Sequence, residues 1–305
     1  MGTPEFSLPT LKSLIKIPDI EVVCVYSQPP KPKGRGQKVI ESPIHEYASL
    51  KNIPVETPKS FKTEESISTF RSYNADLAVV IAYGLILPTA ILEIPRLGCF
   101  NLHGSLLPSY RGAAPVQRSL QNGDKITGVT LMRMDEGMDT GDMIAKYPIN
   151  INDSWTSSDL FNEISLASAD LIDISIEQIV KENMPRIVQK NEEATYADKI
   201  QKDEGIVRWN DANHKIVNNY RGFFSWPGIW TFHNGNKIKI FDISVCNEYH
   251  NNMESAGEVI SLNPFVVKCG YGYVKIDTLQ KEGGKPLPVK DFINGYNINI
   301  GDKFG

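Results

Sequence analysis

Apolar positions in the first half of the chain come in short runs, with helical spacings between them. Glu21–Ser27 (EVVCVYS) and Asp76–Ala82 (DLAVVIA) are near-continuous apolar stretches of strand length, the pattern of strands buried on both faces. Cys99–His103 and Gly128–Met134 read as two further strands, Pro43–Lys51 as a helix, and Ala114–Gln121 as a helix between those two strands. Strands alternating with helices predict βαβ units. The expected fold is therefore α/β and Rossmann-like, with a mostly parallel sheet covered by helices on both faces. A longer helix is predicted over 157–182. Ser157 or Ser158 would cap it, and Leu160, Ile164, Ala167, Leu171, Ile174 and Ile179 would form its apolar side.

The pattern changes after residue 182. Residues 183–205 are polar and irregular, as a linker would be. From Ile206 short β-rich pieces (Ile238–Val245, Gly257–Ser261, Val266–Cys269, Tyr273–Thr278) alternate with Gly, Asn and Pro turns, which predicts a small barrel or sandwich. The expected organisation is a catalytic domain over 1–182, a linker over 183–205 and a smaller domain over 206–305. At the start, Gly2 reads as a tight turn. Thr3, Pro4 and Glu5 read as a helix opening, with a capping hydroxyl, a proline at the first helical position and an acid in the first turn.

Composition narrows the class. With 41% hydrophobic and 22% charged residues in 305, a packed core is expected. No apolar run approaches the roughly 20 residues that span a membrane, and no basic segment leads into an apolar one at the start. Cys24, Cys99, Cys246 and Cys269 are scattered, as buried thiols in a reducing cytoplasm would be. The five histidines show no metal-ligand spacing, so no metal is expected. A net charge of −4 argues against indiscriminate nucleic-acid binding. Residues 206–305, however, carry 11 Lys and Arg against 9 Asp and Glu, which leaves room for a local basic face.

Two segments carry candidate chemistry. Asn101 and His103 lie two apart on a predicted strand, so their side chains share a face. They sit at its C-terminal end, where open α/β sheets place ligands. Asp135-Glu-Gly137-Met-Asp139-Thr-Gly141-Asp142 follows the next strand as a tight loop, from which a carboxylate can reach a histidine on the neighbouring strand end. An amide, an imidazole and a carboxylate in one cleft suit acyl or formyl transfer to an amine. Asn101 would donate to the developing oxyanion. His103, held cationic by the carboxylate, would stabilise the same charge or protonate the leaving nitrogen. Asp139 would accept the amine's proton. Each residue alone also has a plainer reading as a structural histidine, a capping asparagine or a turn-forming aspartate.

Taken together, Asn101-Leu-His103-Gly-Ser105-Leu106-Leu107-Pro108-Ser-Tyr110-Arg111-Gly112-Ala-Ala-Pro115 resembles the signature of folate-dependent formyltransferases. The resemblance implies that Asn101, His103 and Asp139 are catalytic and that 10-formyltetrahydrofolate is the formyl donor. It further implies that Ser105, Leu106, Leu107 and Pro108 touch the folate, and that Tyr83, Gly84, Leu85, Ile86 and Leu87 line the pteridine pocket. The C-terminal domain is then expected to be an OB-like β-barrel. Gly2–Phe6, Ser27–Lys38, Asp139–Met143, Tyr196–Ile200 and Trp226–Gly228 are similar to the branch of the family that formylates methionyl initiator tRNA. In that branch the loop around residue 35 engages the tRNA acceptor end, which points to Lys33, Arg35 and Lys38, with Arg35 foremost. The loop's own composition agrees. Lys31, Lys33, Arg35 and Lys38 give +4 with no acid between them and Glu41, and Pro29, Pro30 and Pro32 stiffen its start. Lys237, Lys239, Lys268 and Lys275 form a weaker candidate for a backbone-contacting face.

The family also carries a short hydrophobic strand before its Gly-Thr-Pro turn, so the natural start is expected six to eight residues upstream, with Met1 internal. A monomer away from membranes is expected, in a bacterial-type cytoplasm, or in an organelle should a targeting segment precede this sequence. Other readings stay open: an amino-sugar nucleotide or another small amine as acceptor, or a non-catalytic RNA-binding protein. A nicotinamide-dependent dehydrogenase is disfavoured, because no GxGxxG follows a first strand.

Overall fold

The computed structural model describes residues 1–33, 38–248 and 253–305. They form two compact units, one of Met1–Pro115, Ile126–Ile151 and Leu160–Ala197, the other of Val116–Lys125, Asn152–Asp159 and Asp198–Gly305. In chain order the elements are α1 (Leu8–Lys16), β1 (Val25–Tyr26), β2 (Lys31–Lys33), β3 (Lys38–Ile40), α2 (Pro43–Leu50), β4 (Val55–Glu56), α3 (Glu64–Ser72), β5 (Leu77–Val80), α4 (Thr89–Leu92), β6 (Gly98–His103), α5 (Pro115–Asn122), β7 (Ile126–Arg133), β8 (Met143–Asn150) and α6 (Ser157–Val180). There follow α7 (Asn213–Phe223), β9 (Ile229–His233), β10 (Asn236–Cys246), β11 (Val259–Leu262), β12 (Phe265–Lys268), β13 (Tyr273–Lys281), β14 (Leu287–Pro288) and α8 (Val289–Gly295).

The sheet of the first unit is parallel at β4–β1 and at β5–β6, and ends in an antiparallel β6–β7–β8 edge. Gly2 joins the two parallel pairs. Its N–H donates to the Tyr26 carbonyl at 2.9 Å, and it bridges Ile81 in parallel. Gly2 was expected in a turn; it is instead a bridge residue that permits close approach. A Cβ there would lie 2.6 Å from the Ser7 Oγ. Thr3 likewise does not cap the helix, whose first turn (Glu5–Ser7) follows Pro4. Its hydroxyl donates to the Tyr83 carbonyl at 2.8 Å and so ties the start of the chain to the loop after β5.

Adjacent strand residues show why helices cover both faces. Val25 packs with Leu11 of α1 and Ile44 and Ala48 of α2. Tyr26 points the other way and packs with Phe70 of α3 and Ile91 of α4. The helices start where local chemistry allows: Ser42 accepts the His45 N–H at 3.2 Å, and Thr63 accepts that of Ser66 at 3.3 Å. In α6 the buried stripe rotates along the axis, from Leu160, Ile164, Ala167 and Leu171 to Ile172, Ile176 and Ile179. Ile174, expected on that stripe, is 67% exposed.

The expected strand over Glu21–Ser27 pairs only at Val25 and Tyr26. A ladder needs a partner on its edge, and residues 22–24 instead line a cavity of about 480 Å³, together with Leu77, Ala78 and Val79. Within the expected linker, Ile187 exchanges both backbone hydrogen bonds with Met143 at 2.9 Å, and Arg111 bridges Tyr196.

The second unit is built on an antiparallel sheet in the order β11-β12-β13-β10-β9, with β14 added on β13. The expected OB-like barrel is thus a β-rich domain whose sheet does not close among the described residues. A bulge at Ile240–Ile243 bends β10, and α7 packs across β9, β10 and β13. The hydrophobic pattern does not separate β9 or α7 from their surroundings.

Candidate functional site

Strand β6 sets the site. Asn101 pairs with Val80 on β5 and Met132 on β7, and His103 pairs with Thr130, so both side chains leave the same face. His103 is only 6% exposed. Its Nε2 lies 2.8 Å from the Tyr110 carbonyl and its Nδ1 lies 3.6 Å from Asp139 Oδ2. A carbonyl can only accept, so Nε2 carries a proton. Nδ1 then faces the carboxylate at ion-pair distance, too far for a committed hydrogen bond.

The carboxylate arrives by an indirect route. Because β7 runs antiparallel to β6, the loop 134–142 leaves beside Phe100, which pairs with Arg133, and not beside His103. Three strand residues, about 10 Å, separate the two points, and the loop folds back to span them. Asp135 organises the turn by accepting from the Gly137 N–H (3.0 Å) and the Thr140 hydroxyl (2.7 Å). Gly141 lets the loop close on β7, since a Cβ there would fall 1.8 Å from the Arg133 carbonyl oxygen. Asp139 holds φ +56° without being glycine, a conformation that persists only where its surroundings enforce it. The Gly112 N–H donates to its Oδ2 at 2.8 Å. Asn101 is half-buried, and none of the described residues hydrogen-bonds its side-chain amide.

The residues expected to hold the folate divide. Ser105 is buried and its hydroxyl donates to the Ser109 carbonyl at 2.6 Å. Leu107 sits in a core cluster with Met132 and Met143, while Leu106 and Pro108 stay half-buried. Thr130, which the sequence motifs do not single out, holds this turn. Its hydroxyl donates to the Ser105 carbonyl at 2.7 Å and accepts the Leu107 N–H at 3.0 Å. In the loop after β5, Tyr83 and Leu87 are core residues, Leu85 packs against that core, Gly84 is open and Ile86 is 92% exposed. Burial pushes the Tyr83 phenol up, so it stays neutral.

Of the expected tRNA contacts, Arg35 lies outside the described residues. Lys33 and Lys38 pair at the end of the β2–β3 hairpin, and only their backbone is described. The weaker lysine face breaks up. Lys268 is buried and lies over the Tyr273 ring, and Lys275 pairs with Asp277 at 2.9 Å. Lys237 stacks 3.7 Å from the Trp230 ring centroid. Among the described residues no cluster of His, Cys, Asp and Glu is placed to hold a metal, and no helix is long and apolar enough to cross a membrane.

A Rossmann-like sheet with Asn, His and Asp converging at one strand end, followed by a β-rich domain, narrows the class to acyl-group transfer. Residues 6–172 match the formyl transferase family and residues 199–297 its C-terminal domain. The chain belongs to the formyl transferase family. It is 40% identical over 307 residues to a methionyl-tRNA formyltransferase of Acetivibrio thermocellus, covering 100% of this chain and 98% of that one. It is 41% identical over 298 residues to that of Rickettsia rickettsii, covering 98% and 96%. Among solved structures it shares its fold with WlaRD, a sugar 3N-formyl transferase crystallised with dTDP and 5-N-formyl-THF (TM-score 0.66, 21% identity, 93% of this chain and 97% of that). It also shares it with an N-formyltransferase of Helicobacter canadensis in complex with folinic acid and dTDP-3-aminofucose (TM-score 0.65, 23% identity, 92% and 97%).

Proposed function

We propose that this enzyme transfers a formyl group from 10-formyltetrahydrofolate to the α-amino group of methionyl initiator tRNA, yielding formylmethionyl-tRNA for translation initiation. The observation that carries the reading is the His103–Asp139 pair, 3.6 Å apart beside the uncommitted amide of Asn101. Full-length similarity to methionyl-tRNA formyltransferases supports the choice of acceptor.

In this reading the amine attacks the formyl carbon and negative charge grows on the formyl oxygen. The Asn101 amide and the Nδ1 proton of His103 donate to that oxygen. Neither has to give up an existing protein hydrogen bond. Asp139 offsets the imidazolium charge and accepts a proton from the attacking amine, directly or through water. The leaving nitrogen of the donor takes up the proton. The exposed Ile86 and the half-buried Leu106 and Pro108 offer apolar surface to the flat pteridine. Lys33, Arg35 and Lys38 are assigned to the tRNA acceptor end, and the protein works as a cytoplasmic monomer with residues 1–182 as its catalytic domain.

The test is a formylation assay with purified enzyme, the folate donor and either charged initiator tRNA or amino-sugar nucleotides. Formylation of the tRNA is expected, with turnover falling about 10²–10⁴-fold in Asp139→Asn, the range for loss of a general base. Turnover of the sugar nucleotides alone would reject the acceptor. An unimpaired Asp139→Asn would reject the catalytic assignment.

A further inference from the structure

Gln189 lies in the polar segment that follows α6, yet it is only 5% exposed. Both ends of its amide are engaged. Nε2 donates to the backbone carbonyls of Asp139 and Gly141, both at 2.8 Å, and Oε1 accepts from Arg111 Nε at 3.0 Å. Arg111 is 2% exposed, and its Nη1 donates to Asn191 Oδ1 at 3.0 Å. Among the described residues its Nη2 has no partner. The backbone of Arg111 is itself pinned, with its N–H on the Thr195 carbonyl (2.8 Å) and its carbonyl accepting from Ala197 (2.7 Å). Directly after it comes Gly112, whose N–H holds the Asp139 carboxylate.

One buried amide thus ties the loop backbone that carries the Asp139 carboxylate to the turn that receives it. We infer that Gln189 is a positioning residue, which fixes the Asp139 carboxylate against His103 through the carbonyls of Asp139 and Gly141. Arg111 sets the direction. Its Nε–H can meet only the oxygen end of the amide, so the NH₂ end is delivered to the loop. The left-handed backbone of Asp139 supplies the need for such a clamp, because a strained loop whose stretch Asp135–Met138 is exposed would otherwise relax.

This inference rests on the catalytic reading of Asp139, and the test separates the two. Gln189→Glu keeps the shape, but sets a carboxylate oxygen against two carbonyl oxygens while pairing with the buried Arg111 guanidinium. Its melting temperature should hold or rise, whereas kcat falls about a hundredfold, the cost of a displacement near 1 Å. KM for the donor and for tRNA should stay within about threefold, since uniform binding is untouched. Gln189→Met, of similar volume, should lose kcat as well, so the result does not hang on one variant. In an Asp139→Asn background neither change should cost anything further, because residues acting as a unit are not additive. Effects that multiply in the double variants, or a Gln189→Glu enzyme with wild-type kcat, would overturn the positioning role. An Asp139→Asn enzyme with full activity would instead overturn the catalytic reading on which it depends.

Discussion

His103 gives its two ring nitrogens different partners, and that asymmetry decides what the residue can do. The Tyr110 carbonyl holds Nε2 at 2.8 Å and fixes the ring, while Nδ1, 3.6 Å from Asp139, is left without a committed hydrogen bond among the described residues, which suits the donor role proposed for it. Away from the site, Glu204 illustrates the opposite case, a carboxylate fully committed to structure. Arg118 reaches both of its oxygens, at 2.5 and 3.0 Å, and this fork holds the Glu204 carboxyl below its usual range. A depressed folded-state pKa adds stability that is present above the unfolded carboxylate value and is lost as pH falls through the folded one. Glu204→Gln should therefore cost about 1 kcal/mol at pH 7, the scale of a partly exposed ion pair. The difference from wild type should shrink below about pH 4. Urea denaturation at both pH values reads this directly, and a gap that persists in acid would contradict it.

Among the elements, α6 was legible as a helix from its spacing, and Leu160, Ile164, Ala167, Leu171 and Ile179 are buried as expected, whereas Ile174 is not. Past Leu171 burial passes to Ile172 and Ile176, which the spacing of the expected stripe does not include. Ile164→Ala, at a fully buried position, should destabilise by about 2–5 kcal/mol. Ile174→Ala, at a 67% exposed one, should stay within about 0.5 kcal/mol. Thermal or urea unfolding of the two variants checks the rotation, and similar destabilisation in both would refute it. The strand over Glu21–Ser27 depends on its neighbours. Its apolar run is intact, yet β structure forms only where an edge partner exists, at Val25 and Tyr26.

At the scale of the molecule, formyl transfer and choice of acceptor rest on different parts of the chain. The first is assigned to one strand end of the sheet. The second is assigned to the cationic loop around Arg35. Arg35→Ala should weaken use of tRNA far more than use of the folate donor, measured as kcat/KM for each. The salt slope of tRNA binding should become shallower by about one unit for each phosphate that the side chain no longer neutralises. Equal effects on both substrates would remove the loop from tRNA recognition.

The sequence by itself determined the α/β alternation, the shared face of Asn101 and His103 and the family signature around them. Each follows from local periodicity or from residue types at fixed spacing, which the backbone geometry of a strand converts directly into direction. Tertiary structure alone decided how Asp139 reaches His103. β7 is antiparallel, so its loop departs from the far end of β6, and only the return across about 10 Å brings the carboxylate home. That return depends on Gly112, Arg111 and Gln189, which lie up to 50 residues from Asp139 in sequence. A polar residue in a polar segment carries no sign that folding will bury it, because burial is a property of what packs around it.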